Sequence, residues 1–466
     1  MNQPFTALMA IRDREAPTET ITFTGQDPVL PSRFRLGETA AGIFAAIGVA
    51  VNDIWALRGR DRQQLSIDVA QAAAALRSYQ YFRLDNAEAA ANWAQQRMRQ
   101  QISMPHPTRD GRYFLPHMGL PNLAEKILKV LNCEYELDSV VNAVAKWDAL
   151  DLEDAIAAAG ACGAMIRTEA EWLSHPQGAL LASRPVIEIL RIGDSEPEPF
   201  PELPAGGRPL TGLRVLDLTR ILAGPTCART LAEHGADVLM VTAPHLPQAD
   251  MFVKDTSHGK RSCFLDLNNP AEHDRLLALV KETDVFSQGY RPGVLAARGL
   301  APETLASIRP GIVYTSMNCY GFGGPFGERA GWEQLAQSVT GLAHEQGDGR
   351  PTLLPAAACD YTTGYLAALG TLIALARRAT EGGSYHVRAS LCQSGMFLSQ
   401  QGRVGHPGPE ADIPLSALTD VITTSHTAYG EVTHLGPVLG MSETPPHWVL
   451  PSPPLGTHKK AEWLPR

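Results

Sequence analysis

The stretch LRVLDLTRILAGPTCARTLAEHGADVLMVTAP, residues 213–244, decides the fold class. Its pattern is that of an apolar strand, a helix that ends at Gly235, and a second apolar strand. Alternating strands and helices predict an α/β fold with a parallel sheet covered on both faces, in a Rossmann-like layout. A ligand is then expected beyond the carboxyl ends of the strands. Three more strand patterns follow along the chain: SCFLDLN (262–268), VFSQGY (285–290) and GIVYTSMNCYG (311–321).

The loops of this predicted sheet lack the usual dinucleotide-binding signature. The first strand–helix junction, DLTRILAGP (217–225), has no GxGxxG pattern, and the second strand ends at Thr242 without an acidic residue. Ordinary NAD binding is therefore disfavoured. The stretch GFGGPFG (321–327) follows a strand, but its glycines have the wrong spacing and Pro325 would interrupt a helix. It is either a tight loop or a loop that lines a ligand cleft.

Farther along lies CDYTTGYLAALGTLIALARRA, residues 359–379, an apolar run with small residues at helical spacing. The run predicts a helix with Asp360 as its N-cap and with Arg377 and Arg378 in its last turn. Two roles for Asp360 are open at this point. A cap alone is the commoner role. The alternative is a nucleophile, because the positive end of the helix dipole would keep the carboxylate ionised.

The N-terminal sequence contains a second copy of this helix pattern. The stretch LGETAAGIFAAIGVAVNDIWAL (36–57) aligns with the run at a constant offset of 322 residues, which places Glu38 opposite Asp360. After it, LSIDVAQA (65–72) resembles YHVRASLCQ (385–393), a short strand pattern that leads into a helix. The two matches indicate an internal repeat of one supersecondary unit. Chance likeness of two helices rich in Ala and Gly is the alternative.

Composition and length limit the class of protein. At 466 residues the chain is too long for one ordinary core, and its 44% hydrophobic and 19% charged residues are typical of a soluble globular protein. The net charge of −9 disfavours a nucleic-acid binder. Seven cysteines without CxxC or Cys/His spacing predict reduced thiols, a cytoplasmic location and no structural metal site. The N-terminus lacks a signal-peptide pattern, and apolar runs such as Ala40–Val51 are shorter than a membrane span of roughly 20 residues.

Changes in pattern along the chain predict five segments. A Pro-rich stretch is typical of a linker between a mainly α lobe and the alternating strands and helices. Within the α lobe, residues 105–121 are rich in Pro and Gly and predict a loop, while Thr168 and Glu171 form a capping-box pattern. The N-terminal residues 1–30 look irregular. The segments are an N-terminal segment (1–80), a small domain (81–195), the linker (196–209), a large domain (210–395) and a tail (396–466).

Six short motifs between Leu210 and Leu391 resemble, in the same order, those of family III CoA-transferases: DLTRILAGP, GKRS, YRPGVL, GFGGP, WEQLAQSVTG and CDYTTGYLAALGTLIAL. This group includes formyl-CoA transferase and carnitine CoA-transferase, and α-methylacyl-CoA racemase shares its fold. The resemblance implies a Rossmann-like large domain completed by the C-terminal tail, together with a smaller domain. In the family that smaller domain lies between the acid helix and the tail, whereas here the segment that resembles it precedes the large domain. The chain thus resembles a permuted or partly duplicated member.

The resemblance also implies roles for individual residues. Asp360 matches the family's nucleophilic aspartate, and Glu333 matches an acid that lies beside it in formyl-CoA transferase. The implied reaction moves CoA between an acyl-CoA and a carboxylic acid through an aspartyl intermediate, with CoA as a substrate and no metal. Relatives form interlocked homodimers, so the site is completed either within this chain or by a partner. The residues expected near CoA are Arg220, Lys260, Arg261, Arg291, Gly321 and Gly323; from the sequence alone, the basic ones are either solvated surface charges or phosphate-binding groups.

Trp332 separates the reactions that occur on this fold. The racemase branch has a histidine at the matching position, where it exchanges the α-proton, and tryptophan cannot do so. An acyl-CoA racemase or isomerase is therefore the disfavoured alternative, and a non-catalytic CoA-binding partner subunit is a further one. The N-terminal copy, with Glu38 in place of the aspartate, lacks the large-domain motifs and is interpreted as structural or degenerate.

Overall fold

The computed structural model describes residues 3–84, 100–405 and 412–465. Part of the expected small domain (85–99) and part of the expected tail (406–411) lie outside the described residues. The largest element is a seven-stranded sheet, the main sheet, in which six strands are parallel and the last is antiparallel. In spatial order its strands are Lys260–Phe264, Asp237–Thr242, Arg214–Asp217, Val285–Gln288, Val313–Asn318, Ser384–Ser390 and Glu188–Gly193.

The mixed α/β class expected from the sequence is confirmed. The five strand patterns between residues 213 and 321 all form parallel strands, and the short pattern at 385–393 adds a sixth. The seventh strand, Glu188–Gly193, is a correction, because the sequence assigned it to the mainly α small domain. It lies at the edge of the sheet and is only partly buried, so it lacks the continuous apolar run that marks a central strand.

The central strands are apolar throughout because both faces of the main sheet are covered. On one face Val215 packs in the same core as Leu369 of the helix Ala358–Glu381, hereafter the acid helix. On the other face Phe286 packs in a second core with Leu276. The helices that follow or cover these strands are Ala223–Glu233, Asp250–Thr256, Pro270–Val280, Pro302–Ile308, the acid helix and Leu391–Gln400.

The internal repeat predicted from the sequence is present in the structure. The N-terminal acid helix, Leu36–Leu57, begins 322 residues before the acid helix, and a strand and a shorter helix follow each of them at the same offset. Leu65–Asp68 lies between a parallel strand, Ile21–Thr24, and an antiparallel one, Leu439–Met441. Ser384–Ser390 also lies between a parallel and an antiparallel strand. The expectation of an irregular N-terminus is therefore wrong: this segment repeats one side of the main sheet.

The two acid helices pack against each other. The rings of Phe44 and Tyr365 lie with their centroids 4.6 Å apart. The N-terminal acid helix has 22 residues and a mean hydropathy of 1.7 in its most apolar window, so by length and composition it could cross a membrane. It is thus longer than the dozen apolar residues expected at Ala40–Val51. Since 89% of the window is buried inside the fold, as in a core helix, the length alone is weak support for a membrane span.

A lobe of short helices and one small sheet lies between the N-terminal segment and the main sheet. Thr168 and Glu171 form the predicted capping box at the start of a helix. Residues 105–121 are not purely a loop, because two short strands within them pair with each other and with a third. The strands are His106–Pro107, Tyr113–Pro116 and Gly163–Met165, and the helices are Pro121–Leu131, Leu137–Val144, Ala149–Ala158, Glu169–Ser174 and Pro176–Ala182.

The C-terminal residues lie along the rest of the molecule. Ile422–Thr427 and Gly430–Leu435 form a hairpin, and Arg83–Leu84 pairs with its second strand. Farther on, the His458 backbone N–H donates to the Ser262 carbonyl at 2.8 Å and so covers the edge of the main sheet. The other short elements are the helices Gln3–Arg12, Val69–Ala75, Glu333–Val339 and Leu342–Gln346 and the 3₁₀ turns Ser78–Tyr81, Ala296–Arg298 and Leu415–Leu418.

Candidate active site

Asp360 lies in the first turn of the acid helix and is not its N-cap. The helix begins at Ala358, and Ala357 occupies the capping position without a side-chain hydrogen bond. The expected capping role is therefore wrong. Instead, the backbone N–H of Ala223 donates to the Asp360 carboxylate. Because Ala223 is the first residue of the helix Ala223–Glu233, the carboxylate lies at the start of a second helix as well as in the first turn of its own.

Close contact between these two helices depends on Gly364. A Cβ atom at this position would lie 2.5 Å from the Ala223 carbonyl oxygen and 2.7 Å from the Thr226 Cβ. Any side chain would therefore push the helices apart. The small residue one turn after Asp360 lets the carboxylate approach the start of the neighbouring helix.

Glu333 provides the carboxylate that caps the acid helix. Its Oε2 accepts a hydrogen bond from the backbone N–H of Asp360 at 2.5 Å, and its Oε1 accepts one from that of Cys359 at 3.1 Å. The Gln337 side chain also donates to Oε1 at 2.6 Å. Both carboxylates are buried, with Glu333 5% and Asp360 8% exposed. The sequence paired these two residues by resemblance, and the structure brings them together; we call them the carboxylate pair.

Burial dominates the charge state of the carboxylate pair. It raises the pKa of Glu333 to about 7, although hydrogen bonds from Gln337 and the helix N–H groups act in the opposite direction. It also raises the pKa of Asp360 well above its ordinary value, and the nearby Glu333 carboxylate adds to this rise. The expectation that the helix dipole keeps Asp360 ionised overlooked this desolvation. In the free protein the pair retains a proton near neutral pH.

Two of the basic residues expected near CoA have internal partners. Lys260 is fully buried, and its Nζ lies 2.9 Å from both the Asp217 carboxylate and the Pro225 carbonyl oxygen. The Arg261 guanidinium donates to both carboxylate oxygens of Asp237 at 2.8–3.0 Å. A contact with a nucleotide would require these ion pairs to open. Their geometry therefore supports a structural role in joining neighbouring strands.

The other residues expected near CoA lie together at the carboxyl edge of the main sheet. Arg220 follows Arg214–Asp217, Arg291 follows Val285–Gln288, and two glycines follow Val313–Asn318, which are three adjacent strands. Arg291 is exposed, whereas Arg220 is half-buried and donates to the Pro247 carbonyl. Gly321 and Gly323 both have positive φ, of 82° and 79°. A Cβ at Gly321 would meet the Leu181 side chain at 2.5 Å, whereas one at Gly323 would meet no atom within 4 Å.

Comparison with known proteins decides the family. A family model described as CoA-transferase family III matches residues 210–414. An acyl-CoA transferase of Gibberella moniliformis is 30% identical over 418 residues, which cover 81% of this chain and 73% of that protein. The chain belongs to CoA-transferase family III. Membership makes this family III CoA-transferase an enzyme with CoA among its substrates.

Other relatives of this family III CoA-transferase match shorter stretches. An acetyl-coenzyme A transferase of Hypoxylon pulicicidum is 31% identical over 313 residues, which cover 62% of this chain and 53% of that protein. A formyl-CoA:oxalate CoA-transferase of Rhodopseudomonas palustris is 36% identical over 221 residues, or 43% and 51% of the two chains. The chain therefore spans only about half the length of these two relatives. A solved CAIB/BAIF family protein from Brucella suis is 28% identical with a TM-score of 0.40, over 48% of this chain and 65% of that one.

The sequence did not reveal His117, which lies beside the site of this family III CoA-transferase. Its ring stacks on that of Trp332, with centroids 4.6 Å apart and an angle of 17° between the planes. Burial lowers the pKa of His117 to about 4, so the imidazole is neutral at physiological pH. The stacked ring holds the residue that precedes Glu333. His117 comes from a stretch rich in Pro and Gly, and no pattern along the chain connects it with position 332.

Proposed function

We propose that this CoA-transferase moves CoA between an acyl-CoA and a carboxylic acid, with Asp360 as the covalent carrier. The observation that carries the proposal is the buried carboxylate pair beside the carboxyl ends of the central strands. Two carboxyl groups in contact, one of which retains the proton near neutral pH, leave the other as the attacking carboxylate. The Ala223 N–H donates to Asp360 and favours its charged form.

The proposed reaction conserves every atom through two exchanges. The Asp360 carboxylate attacks the thioester carbonyl, which forms a mixed anhydride and expels CoA thiolate. The thiolate then attacks the aspartyl carbonyl carbon, which releases the donor acid and leaves an aspartyl-CoA thioester. The acceptor carboxylate attacks this thioester, expels CoA thiolate and forms a second anhydride. Attack of the thiolate on the acceptor carbonyl gives the new acyl-CoA and regenerates the Asp360 carboxylate.

The protein groups have separate tasks in this scheme. Glu333 fixes the first turn of the acid helix through the N–H groups of Cys359 and Asp360. When Glu333 holds the shared proton, Asp360 carries the negative charge and can attack. The neutral His117 and the stacked Trp332 close one side of the site and leave no second base at position 332. This arrangement favours acyl transfer over exchange of an α-proton.

The coarser features of the protein are part of the same proposal. The first strand of the main sheet is central, with the second and third on one side and the fourth and fifth on the other, an order that supports a Rossmann-like domain. The proposed domains are a small domain (81–195), a linker (196–209), a large domain (210–395) and a tail (396–466). We place the CoA nucleotide beside Arg291, Arg220 and Gly323. A cytoplasmic homodimer is the proposed state, and the seven thiols are free.

Trapping of the intermediate tests the proposal. The protein is incubated with a panel of short- and long-chain acyl-CoA thioesters, and hydroxylamine converts an activated carboxyl group to a hydroxamate. We expect the modification on Asp360 in the wild type and in the control Asp348→Asn, whose exposed carboxylate makes only a 3.7 Å contact with Arg33. Asp360→Asn should lose the modification and at least about 10³-fold in kcat while it still binds CoA.

Three results would contradict the proposal in different ways. Turnover of Asp360→Asn near the wild-type rate would remove Asp360 from the reaction. Deuterium entry at the α-carbon of the acyl group without CoA exchange would identify a racemase or isomerase. Binding of CoA with neither reaction across the panel would identify a non-catalytic CoA-binding subunit.

A further inference from the structure

The 3₁₀ turn Ser78–Tyr81 of the N-terminal segment packs against the start of the acid helix. The backbone N–H of Tyr79 donates to the Tyr361 hydroxyl at 3.3 Å. The two rings are parallel within 1°, with centroids 6.5 Å apart, and the Phe252 ring meets Tyr79 edge-on at 5.0 Å. Tyr361 is the residue directly after Asp360. A turn far outside the family match at 210–414 thus contacts the neighbour of the nucleophile.

A buried polar network fixes Tyr361 at this contact. Its hydroxyl lies 2.9 Å from the Ser78 Oγ and 3.2 Å from the Asp255 carboxylate. The same carboxylate pairs with Arg229 at 3.2 Å and accepts from Ser78 at 2.6 Å. All four side chains are buried. A satisfied network of this kind holds its members in one geometry, so the turn and the acid helix keep a fixed relation.

The Tyr79 hydroxyl is itself available as a donor toward the carboxylate pair. It accepts a hydrogen bond from the Gln80 side chain at 3.2 Å, which leaves its own proton for an acceptor. The charged groups that face it are the carboxylates of Glu333 and Asp360 and the guanidinium of Arg77. Burial and the two carboxylates raise the pKa of Tyr79, so the phenol stays neutral and keeps its proton.

We propose that Tyr79 is a positioning residue of the carboxylate pair, so that the N-terminal segment completes this site within the same chain. Its kinetic consequence rests on the proposed function, whereas its effect on the titration of the pair does not. A neutral phenol that points its proton toward the pair stabilises the charged form. Loss of the hydroxyl therefore raises the pH at which the pair gives up its shared proton.

Other groups around the pair do not titrate in the same range. The thiols of Cys359 and Cys319 face the two carboxylates, and burial raises the pKa of both thiols well above the ordinary value. Gln337 donates to Glu333 and has no charge. A shift seen after a change at Tyr79 is thus a shift of the carboxylate pair.

Tyr79→Phe tests the proposal, with Tyr81→Phe as the matched control. Both changes remove one hydroxyl from the same 3₁₀ turn and keep the ring. The Tyr81 hydroxyl accepts from Arg77 at 2.9 Å, and its neighbouring charges are Arg77, Asp412 and Arg83, not the carboxylate pair. Infrared difference spectroscopy of the full chain follows the protonated carboxyl band that disappears in Glu333→Gln, as a function of pH and without substrate.

We expect the midpoint of this band to rise by about 0.5–1 pH unit in Tyr79→Phe and to stay at the wild-type value in Tyr81→Phe. The acid limb of the kcat profile should shift in the same direction with KM unchanged. Equal midpoints in the two variants would overturn the positioning role of Tyr79. A shifted midpoint without any adduct on wild-type Asp360 would keep the inference and overturn the proposed function, so the two failures are distinguishable.

Discussion

Asp360 and Glu333 show how burial and hydrogen bonding compete at a single site. The backbone N–H groups that reach the two carboxylates favour the charged forms, yet removal from water outweighs them. The native state therefore binds a proton at a pH where the unfolded chain has released it. The cost of keeping this pair buried is a property of the folded protein and can be measured without substrate.

We predict that Glu333→Gln stabilises the protein more at pH 8 than at pH 5. An unfolded glutamate ionises near pH 4.5, whereas burial holds the native group protonated up to about pH 7. The stability of the wild type due to this group is complete below pH 4.5 and is lost as the pH rises through 7. Glutamine stays neutral, so the gain at pH 8 relative to pH 5 should be on the order of 2 kcal/mol.

Urea unfolding at the two pH values measures this difference. The matched control is Glu125→Gln, which changes an exposed glutamate on the small-lobe helix Pro121–Leu131. The control should show no such dependence on pH. An equal effect of Glu333→Gln at both pH values would show that the group has no raised pKa in the folded protein.

At the residue scale the sequence identified both carboxylates but misjudged what surrounds them. The capping carboxylate of the acid helix comes from Glu333, 27 residues before its partner, and a pattern read along one helix cannot detect it. The cluster GKRS was interpreted as surface or nucleotide-binding charge. Lys260 and Arg261 are instead neutralised by Asp217 and Asp237 on nearby strands, and only the strand order reveals this.

The acid helix is the element on which the site depends, and its small residues set how closely other helices approach. We predict that Gly364→Ala destabilises the protein by about 1–3 kcal/mol, because the added Cβ would lie 2.5 Å from a backbone oxygen. This penalty acts against the higher helix propensity of alanine. Gly395→Ala is the control, since its nearest atoms are side-chain atoms at 3.0–3.4 Å. Thermal unfolding compares the two, and a Gly364→Ala variant no less stable than Gly395→Ala would contradict this account of the helix contact.

The N-terminal acid helix repeats the capping arrangement as well as the backbone. The Asp27 carboxylate accepts from the N–H groups of Gly37 and Glu38 at 3.2 and 2.8 Å. These two positions lie 322 residues before Cys359 and Asp360, whose N–H groups bind Glu333 in the same way. The interpretation of this copy as structural stays a prediction. The Arg35 guanidinium contacts Glu38 at 2.7 Å, which is consistent with it.

We predict that Asp27→Ala lowers the free energy of unfolding by about 1–3 kcal/mol, because two N–H groups of the N-terminal acid helix lose their acceptor. Asp27→Asn keeps an acceptor oxygen and should cost less. Asp348→Ala, at a side chain 93% exposed, should leave stability unchanged. Urea unfolding measures all three, and equal stability of Asp27→Ala and the wild type would show that Asp27 does not support this helix.

At the element scale the sequence predicted the repeat because both helices are long and share spaced small residues. It did not predict the sheet beside the N-terminal copy. The strands Ile21–Thr24 and Leu439–Met441 have four and three residues, too short for a periodic pattern, and lie far apart in sequence. Tertiary pairing, not local preference, makes them strands.

For the whole molecule, the site draws on parts of the chain that the family motifs do not include. The carboxylate pair lies within the matched region, 210–414, whereas Tyr79 belongs to the N-terminal segment and His117 to the small lobe. The parallel sheet and its ligand edge were predictable, since alternating patterns report them directly. The contacts from the first 120 residues were not, because they depend on how distant segments fold over the acid helix.

The path of oxygen tests the role of Asp360 most directly. An acceptor acid labelled with oxygen-18 in its carboxylate gives one of its oxygens to the aspartyl group in each turnover of the proposed reaction. After many turnovers with an acyl-CoA donor, mass spectrometry of the proteolysed enzyme should find the label in the Asp360 side chain and not in Glu333 or Asp348. Continued CoA transfer with no oxygen-18 at Asp360 would contradict the covalent role assigned to this residue.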